Sequence, residues 1–310
     1  MSNIRRLLAG SAVAVALTLA GLPAAGASAT TTAARPALPT RVLHVRAGGE
    51  MATFKIRGDW KLVTARLPRE HLPRPKIIRS ATARANGSAS SGNWSGYVDI
   101  ANKGVALRYV TADFNIPSLN CANSTNGSSG QNWFSSWTGL DGWTDATVEQ
   151  QGIEDYCSGG IAGLYVFYEM YPADPVVFTG ANFGDALQSS TYYNTSTGNY
   201  TLDVTDLTQS GAGVTETIKC AKTCNNSSAE VISEAPGGGP PTYGLTDFGA
   251  ENYTSAGVTS RSGTKGGLVG NSLWSSDSIT MVNSSDSHTL ATVGSLEGNV
   301  AFLAKWVAST

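Results

Sequence analysis

The run Leu164-Tyr165-Val166-Phe167-Tyr168-Glu169-Met170-Tyr171-Pro172 decides how this chain folds. Tyr165, Phe167, Glu169 and Tyr171 share one side at a period of two, and Val166, Tyr168 and Met170 share the other. Successive side chains of an extended strand point to opposite faces, so this run reads as β. Its aromatic and β-branched content agrees. Just upstream lie Trp137-Thr138-Gly139-Leu140-Asp141-Gly142 and Thr147-Val148-Glu149-Gln150-Gln151-Gly152. In the second of these, alternation puts Glu149 and Gln151 on one face and Val148 and Gln150 on the other.

The same period recurs over residues 109–114, 200–204, 214–218, 279–282 and 301–306, where Thr, Val, Tyr and Trp dominate. Clusters of Gly, Asn, Ser and Asp separate these runs at roughly ten to fifteen residues, as in sandwiches and barrels. Helical periodicity is hard to find. The chain therefore reads as all-β. Gly237-Gly238-Gly239-Pro240-Pro241 reads as a rigid surface loop, since strand-like sequence resumes after it.

The amino terminus reads as a secretory signal over residues 1–29. Arg5 and Arg6 precede an apolar run, and Ala27-Ser28-Ala29 is an A-x-A exit. Residues 30–85 hold twelve Lys or Arg against Glu50, Asp59 and Glu70. From residue 86 on, seven Lys or Arg face twenty Asp or Glu. Such an asymmetry marks two segments with different roles. The basic, proline-bearing segment 30–85 reads as a propeptide, and 86–310 as the mature domain, long enough for one core. The basic segment lacks the interleaved aromatics of a nucleic-acid binder. No later stretch is apolar enough for a membrane span. A secreted, extracellular product follows. Cys121, Cys157, Cys220 and Cys224 form an even set in an oxidising compartment, which predicts two disulfides. Cys220 and Cys224 flank a short turn, so the expected pairs are Cys220–Cys224 and Cys121–Cys157.

Elimination narrows the chemistry. His288 is the one histidine after residue 85, which leaves no two-His metal motif. Gly-x-Ser-x-Gly, Asp-Thr-Gly and Asp-Ser-Gly do not occur. No metal ligand set and no cofactor motif is evident. Carboxylate-driven hydrolysis remains. Glu169, flanked by aromatics, is a candidate for acid–base work. An amide such as Gln150 can donate to a developing oxyanion at any pH.

Asn93-Trp94-Ser95-Gly96-Tyr97-Val98, the Trp137 and Gln150 segments, Tyr168-Glu169-Met170-Tyr171-Pro172 and Glu230-Val231-Ile232-Ser233-Glu234-Ala235-Pro236 follow in one order. Together they resemble the glutamic peptidases (eqolisins, peptidase family G1). The resemblance implies a β-sandwich of two antiparallel sheets, a lectin-like jelly roll, with a catalytic Gln and Glu. Carried over, these are Gln150 and Glu169, with Gln151 as the alternative amide should the strand register slip. Trp94, Trp137 and Asp141 match supporting motif positions. The implied enzyme is a monomeric, secreted, acid-acting endopeptidase on protein or peptide substrates, with its propeptide as intramolecular inhibitor. In the implied reaction Glu169 takes a proton from water, Gln150 holds the oxyanion, and Glu169 then protonates the leaving nitrogen. Two other readings fit a lectin-like sandwich: a glycoside hydrolase with paired carboxylates, and a carbohydrate-binding module without catalysis.

Overall fold

The computed structural model describes residues 37–47, 49–63, 77–79, 87–124, 129–220, 223–237, 239–240, 242–283, 285 and 287–310. The expected signal segment 1–29, and the parts of the expected propeptide not among these ranges, lie outside the described residues. Residues Leu38–Thr310 form one compact unit.

The described residues form strands and no helix, so none presents a helix long and apolar enough to cross a membrane. In chain order the strands are β1 (Thr40–Ala47), β2 (Glu50–Arg57), β3 (Lys61–Leu62), β4 (Ile77–Arg79), β5 (Gly87–Ser91), β6 (Trp94–Ala101) and β7 (Leu107–Asn115). There follow β8 (Gln131–Leu140), β9 (Val148–Ser158), β10 (Ile161–Tyr171), β11 (Val176–Thr179), β12 (Ala186–Asn194), β13 (Asn199–Asp206) and β14 (Ala212–Lys219). The last are β15 (Ser228–Glu234), β16 (Gly244–Leu245), β17 (Ala250–Ser260), β18 (Lys265–Gly266), β19 (Trp274–Val282), β20 (Thr289–Val293) and β21 (Phe302–Trp306). Each of the six alternating runs read from the sequence falls on one of these strands.

The strands stack as two layers of a β-sandwich. The front layer runs β3–β11–β10–β9–β8–β15–β6–β19–β5–β4. The back layer runs β1–β2–β14–β13–β12–β7–β17–β21–β20. β20 also pairs with β19, so the layers are continuous along one margin. Pairing is antiparallel except at β5–β19 and β8–β16.

Alternation sorts the side chains. One set points between the layers and forms the main core, with Phe54, Val110, Phe134, Ile153, Tyr168, Leu202, Val214, Val231 and Phe302 among its buried members. The opposite face of the front layer carries a second apolar cluster, built on Trp94, Val98, Trp137, Val148, Phe167, Ile232 and Ile279. The front layer is covered on both faces, so β8, β9 and β15 are buried over nearly their whole length, and the polar side chains they carry are buried with them. The disulfides are Cys121–Cys157 and Cys220–Cys224, the pairs expected.

Candidate active site

β9 and β10 pair over eleven residues, and the register sets Glu169 directly opposite Gln150. Opposed residues of an antiparallel pair project to one face. The Gln150 Nε2 donates to Glu169 Oε2 at 2.6 Å, and each residue is only 2% exposed. The Gln150 carbonyl oxygen makes no hydrogen bond.

Gln151 points the other way, between the layers. Its Nε2 donates to Thr138 Oγ1 at 2.7 Å and Ser189 Oγ at 2.8 Å, and its carbonyl accepts from Thr191 Oγ1 at 2.7 Å. Every polar atom of that side chain is engaged inside the core. Parity thus separates the two neighbouring amides.

The strand on the other side of Gln150 is β8, and its residue in register is Gly139. Beyond Gly139, on β15, stands Glu230. Glu169, Gln150, Gly139 and Glu230 therefore form one row across four strands. Adjacent strands lie about 4.8 Å apart, so the backbones of Gln150 and Glu230 stand roughly 10 Å apart, and Gly139 between them contributes no side chain of its own. Both carboxyl oxygens of Glu230 are buried and without a hydrogen-bond partner. Burial, reinforced by the Asp141 carboxylate, holds the Glu230 carboxyl well above the usual range. A Cβ added at Gly139 would meet the Trp137 ring at 3.0 Å and Gln150 Cβ at 3.2 Å. Glycine at this position keeps the space between amide and carboxyl open.

The neighbouring row forms an aromatic wall. Trp137 faces Gly152 on β9 and Ile232 on β15. A Cβ at Gly152 would sit 2.0 Å from Ser136 O and 2.7 Å from Trp137 Cα, so the glycine after the Gln-Gln pair lets β9 lie close against the backbone of β8 beside Trp137. The Trp137 Nε1 donates to Glu234 Oε2 at 2.8 Å, and Asn93 Nδ2 donates to the other Glu234 oxygen at 3.0 Å. The Trp94 ring meets Trp137 edge-on at 4.9 Å and stacks on Trp143 at 6.3 Å. Offset and T-shaped pairs of this kind hold rings in fixed places.

Residues 92–301 match a family model described as the Peptidase A4 family. The chain belongs to that family. Among solved structures, a scytalido-glutamic peptidase bound to a peptide-based transition-state analogue matches at 21% identity with a TM-score of 0.55. That match covers 70% of this chain and 98% of the other. An aspergilloglutamic peptidase from Aspergillus niger matches at 23% identity with a TM-score of 0.48, covering 57% of this chain and 99% of the other. The first match shows a shared fold. No curated protein sequence matches. As a Peptidase A4 member the protein is a glutamic endopeptidase, a hydrolase of peptide bonds.

In this Peptidase A4 domain the residues singled out from sequence separate into two groups. Gln150, Glu169, Trp94 and Trp137 share the front face. Asp141 does not join them. It follows β8 in a left-handed turn, with φ of 68°, and its carboxylate accepts from the backbone N–H of Asn226 at 2.7 Å and of Ser227 at 2.6 Å. Burial and the nearby Asp145 push it to about 6, against the pull of those two N–H groups. Asp141 thus ties the end of β8 to the start of β15, which fixes Gly139 relative to Glu230.

Glu230 was not among the site residues expected from sequence, although the motif bearing it was quoted. The missed signal was parity along Glu230-Val231-Ile232-Ser233-Glu234, which puts Glu230, Ile232 and Glu234 on one face. Glu149 is buried on the opposite face. There it lines a cavity of 230 Å³ with Thr147, Met170, Tyr171, Ile218 and Lys219, behind the strands that carry Gln150 and Glu169.

Proposed function

We propose that this protein is a secreted, acid-acting endopeptidase in which Gln150 and Glu230 act together on a water molecule and a peptide carbonyl. The observation that carries this reading is the row Gln150–Gly139–Glu230: an amide and a carboxyl face one gap on a buried, tryptophan-walled floor. The fraction of Glu230 that is ionised, made more basic by burial, takes a proton from the attacking water. The Gln150 Nε2 donates to the oxyanion as the tetrahedral intermediate forms. Glu230, now protonated, returns its proton to the leaving nitrogen as the C–N bond breaks. The carboxylate itself activates the water, so the scheme calls for neither metal nor covalent intermediate.

Glu169 enters differently from the sequence-based expectation. Its carboxylate already accepts from the Gln150 amide at 2.6 Å, a contact too close for a water between them. We therefore assign Glu169 to aiming the amide and Glu230 to the base. The reading with Glu169 as base remains the competitor. The two differ in one assay: digestion of an acid-denatured protein by Glu230→Gln and by Glu169→Gln, each checked for a native fold. Loss of activity in Glu230→Gln beyond that in Glu169→Gln supports the assignment, and the reverse order returns the base to Glu169. A polysaccharide panel run alongside tests the glycoside hydrolase and lectin readings.

Secretion is supported by the signal-like residues 1–29 and by the two disulfides. Work in acid is supported from the side of stability, because burial raises the carboxyls of Asp99, Asp155, Glu216 and Glu251 and so favours the fold at low pH. The basic segment 30–85 is proposed to keep the monomeric enzyme latent. Its positive charge opposes a strongly acidic domain at neutral pH, and that attraction fades as the carboxylates protonate. The proposed cut between residues 79 and 86 falls largely outside the described residues.

A further inference from the structure

The structure assigns the hairpin β1–β2 and strand β3 to the working enzyme: we propose that residues 40–63 remain bound after processing as a second, non-covalently held chain. This rests on the reading that the basic segment is cut, and it leaves latency to the part of segment 30–85 that follows Val63.

Three features carry it. The first is strand pairing. β2 extends the back layer by pairing with β14, from Gly213 opposite Arg57 to Thr217 opposite Thr53. β3 extends the front layer by pairing with β11, with Leu62 opposite Phe178, and Val63 N–H donates to Val177 O at 2.9 Å. The segment thus completes one edge of each layer. Its loss would bare two rows of unpaired backbone groups, the condition that exposed sheet edges avoid.

The second is burial. Ala52, Phe54, Ile56 and Trp60 are each at most 1% exposed. The Phe54 ring packs on Tyr168 at 5.8 Å and Phe178 at 5.3 Å. Trp60 lies so close over Gly180 that a Cβ there would sit 2.3 Å from its ring. The catalytic domain therefore carries a seat shaped for this indole. The family match covers residues 92–301, so the hairpin lies outside it while the residues it packs on, Tyr168, Phe178 and Gly180, lie inside it.

The third is a polar clamp. The Arg57 guanidinium donates to Thr215 Oγ1 at 2.6 Å, Thr205 Oγ1 at 2.7 Å, Gly211 O at 3.1 Å and Asp203 Oδ1 at 3.2 Å. Its partners come from β13, β14 and the turn between them. Neither disulfide reaches the segment, so after a cut only these contacts would hold it.

The segment also touches the site. Tyr168, under Phe54, precedes Glu169 on β10, and β11, which β3 edges, pairs with the same strand. Departure of the hairpin would free the strand that aims Gln150.

The test places a recognition sequence for a site-specific protease immediately after Val63 in the full chain. The purified protein is cut, passed over a sizing column at acid and neutral pH, and titrated with urea. The expected result is one particle containing both fragments, with peptidase activity unchanged by the cut and the short fragment released only as the domain unfolds. Arg57→Ala should release it at a lower urea concentration. Elution of the short fragment apart from a folded, active domain would overturn the proposal. The naturally processed enzyme is then analysed by mass under denaturing conditions. A chain ending beyond Val63 supports retention, whereas its absence from an active, processed enzyme counts against it. A precursor that is never cut at acid pH removes the processing reading alone, because the engineered cut still decides retention.

Discussion

Gln150 donates its amide to the Glu169 carboxylate at 2.6 Å, from a residue directly opposite on the neighbouring strand. The carboxylate therefore fixes which end of the amide carries the N–H groups and where the second of them points. An oxyanion donor works by being oriented before charge develops, so this contact gives Gln150 the preorganisation its role needs.

Replacement of Gln150 by Ala should lower kcat by about 10²–10³ with little change in KM, because the oxyanion exists only past the ground state. Gln151→Ala should behave in the opposite way. It removes the partner of Thr138, Ser189 and Thr191 inside the core, at a cost of about 1–3 kcal/mol in stability, while turnover per folded molecule holds. Paired steady-state kinetics and urea unfolding check both. A Gln151→Ala enzyme that folds normally yet is inactive would contradict the assignment.

Glu230→Gln should reduce kcat by at least about 10³, since no other carboxyl in the row is free to take the proton. Glu169→Gln should cost less, about 10–100-fold, as its side-chain carbonyl can still accept from Gln150. Single-turnover assays on a fluorogenic peptide separate these effects from binding.

Gly139→Ala tests the gap itself. The added methyl would press on Trp137 and Gln150 at 3.0–3.2 Å and intrude between amide and carboxyl. A loss of kcat of about tenfold or more with an almost unchanged melting temperature is expected. Full activity in this variant would mean that the reaction does not occur in that space.

Stability should be greatest in acid. Burial pushes Glu216 and Glu251 up to about 8, the latter despite hydrogen bonds from Ser136, Tyr253 and Ser233 that act to lower it. Unfolded glutamates ionise near 4.3, so between these limits the folded chain holds protons that the unfolded chain releases. The stabilisation is fully present below about pH 4 and is lost as pH rises through about 8. Melting temperature measured from pH 3 to 9 should fall across that window, and Glu251→Gln should flatten the curve. A melting temperature that climbs toward pH 9 would contradict this.

Much of the architecture was legible because alternation survives burial. The runs 164–170 and 214–218 announce their strands by side-chain type alone, and spacing suggested the short Cys220–Cys224 link. The site was legible in part. Gln150 and Glu169 could be picked out by residue type, but strand parity alone does not say which strands are neighbours. Only the order β10–β9–β8–β15 puts Glu230 beside the pair, and that order depends on pairing between β8 and β15, about ninety residues apart. The basic segment was read by its charge, which hid its apolar alternation at Ala52, Phe54 and Ile56. Asp141 was read as a supporting residue by its place in the motif, and its carboxylate accepts from the backbone N–H groups of Asn226 and Ser227 rather than facing Gln150.

Strand β9 is a partition between two compartments, with Gln150 serving one and Gln151 the other. Its spelling is therefore constrained in length more tightly than in composition. Loss or gain of a single residue before Gln150 would exchange the two amides. A core glutamine would then face the substrate, and the other would enter the threonine- and serine-lined interior. In laboratory evolution of this enzyme, point changes in β9 should be recovered far more often than one-residue deletions or insertions within it.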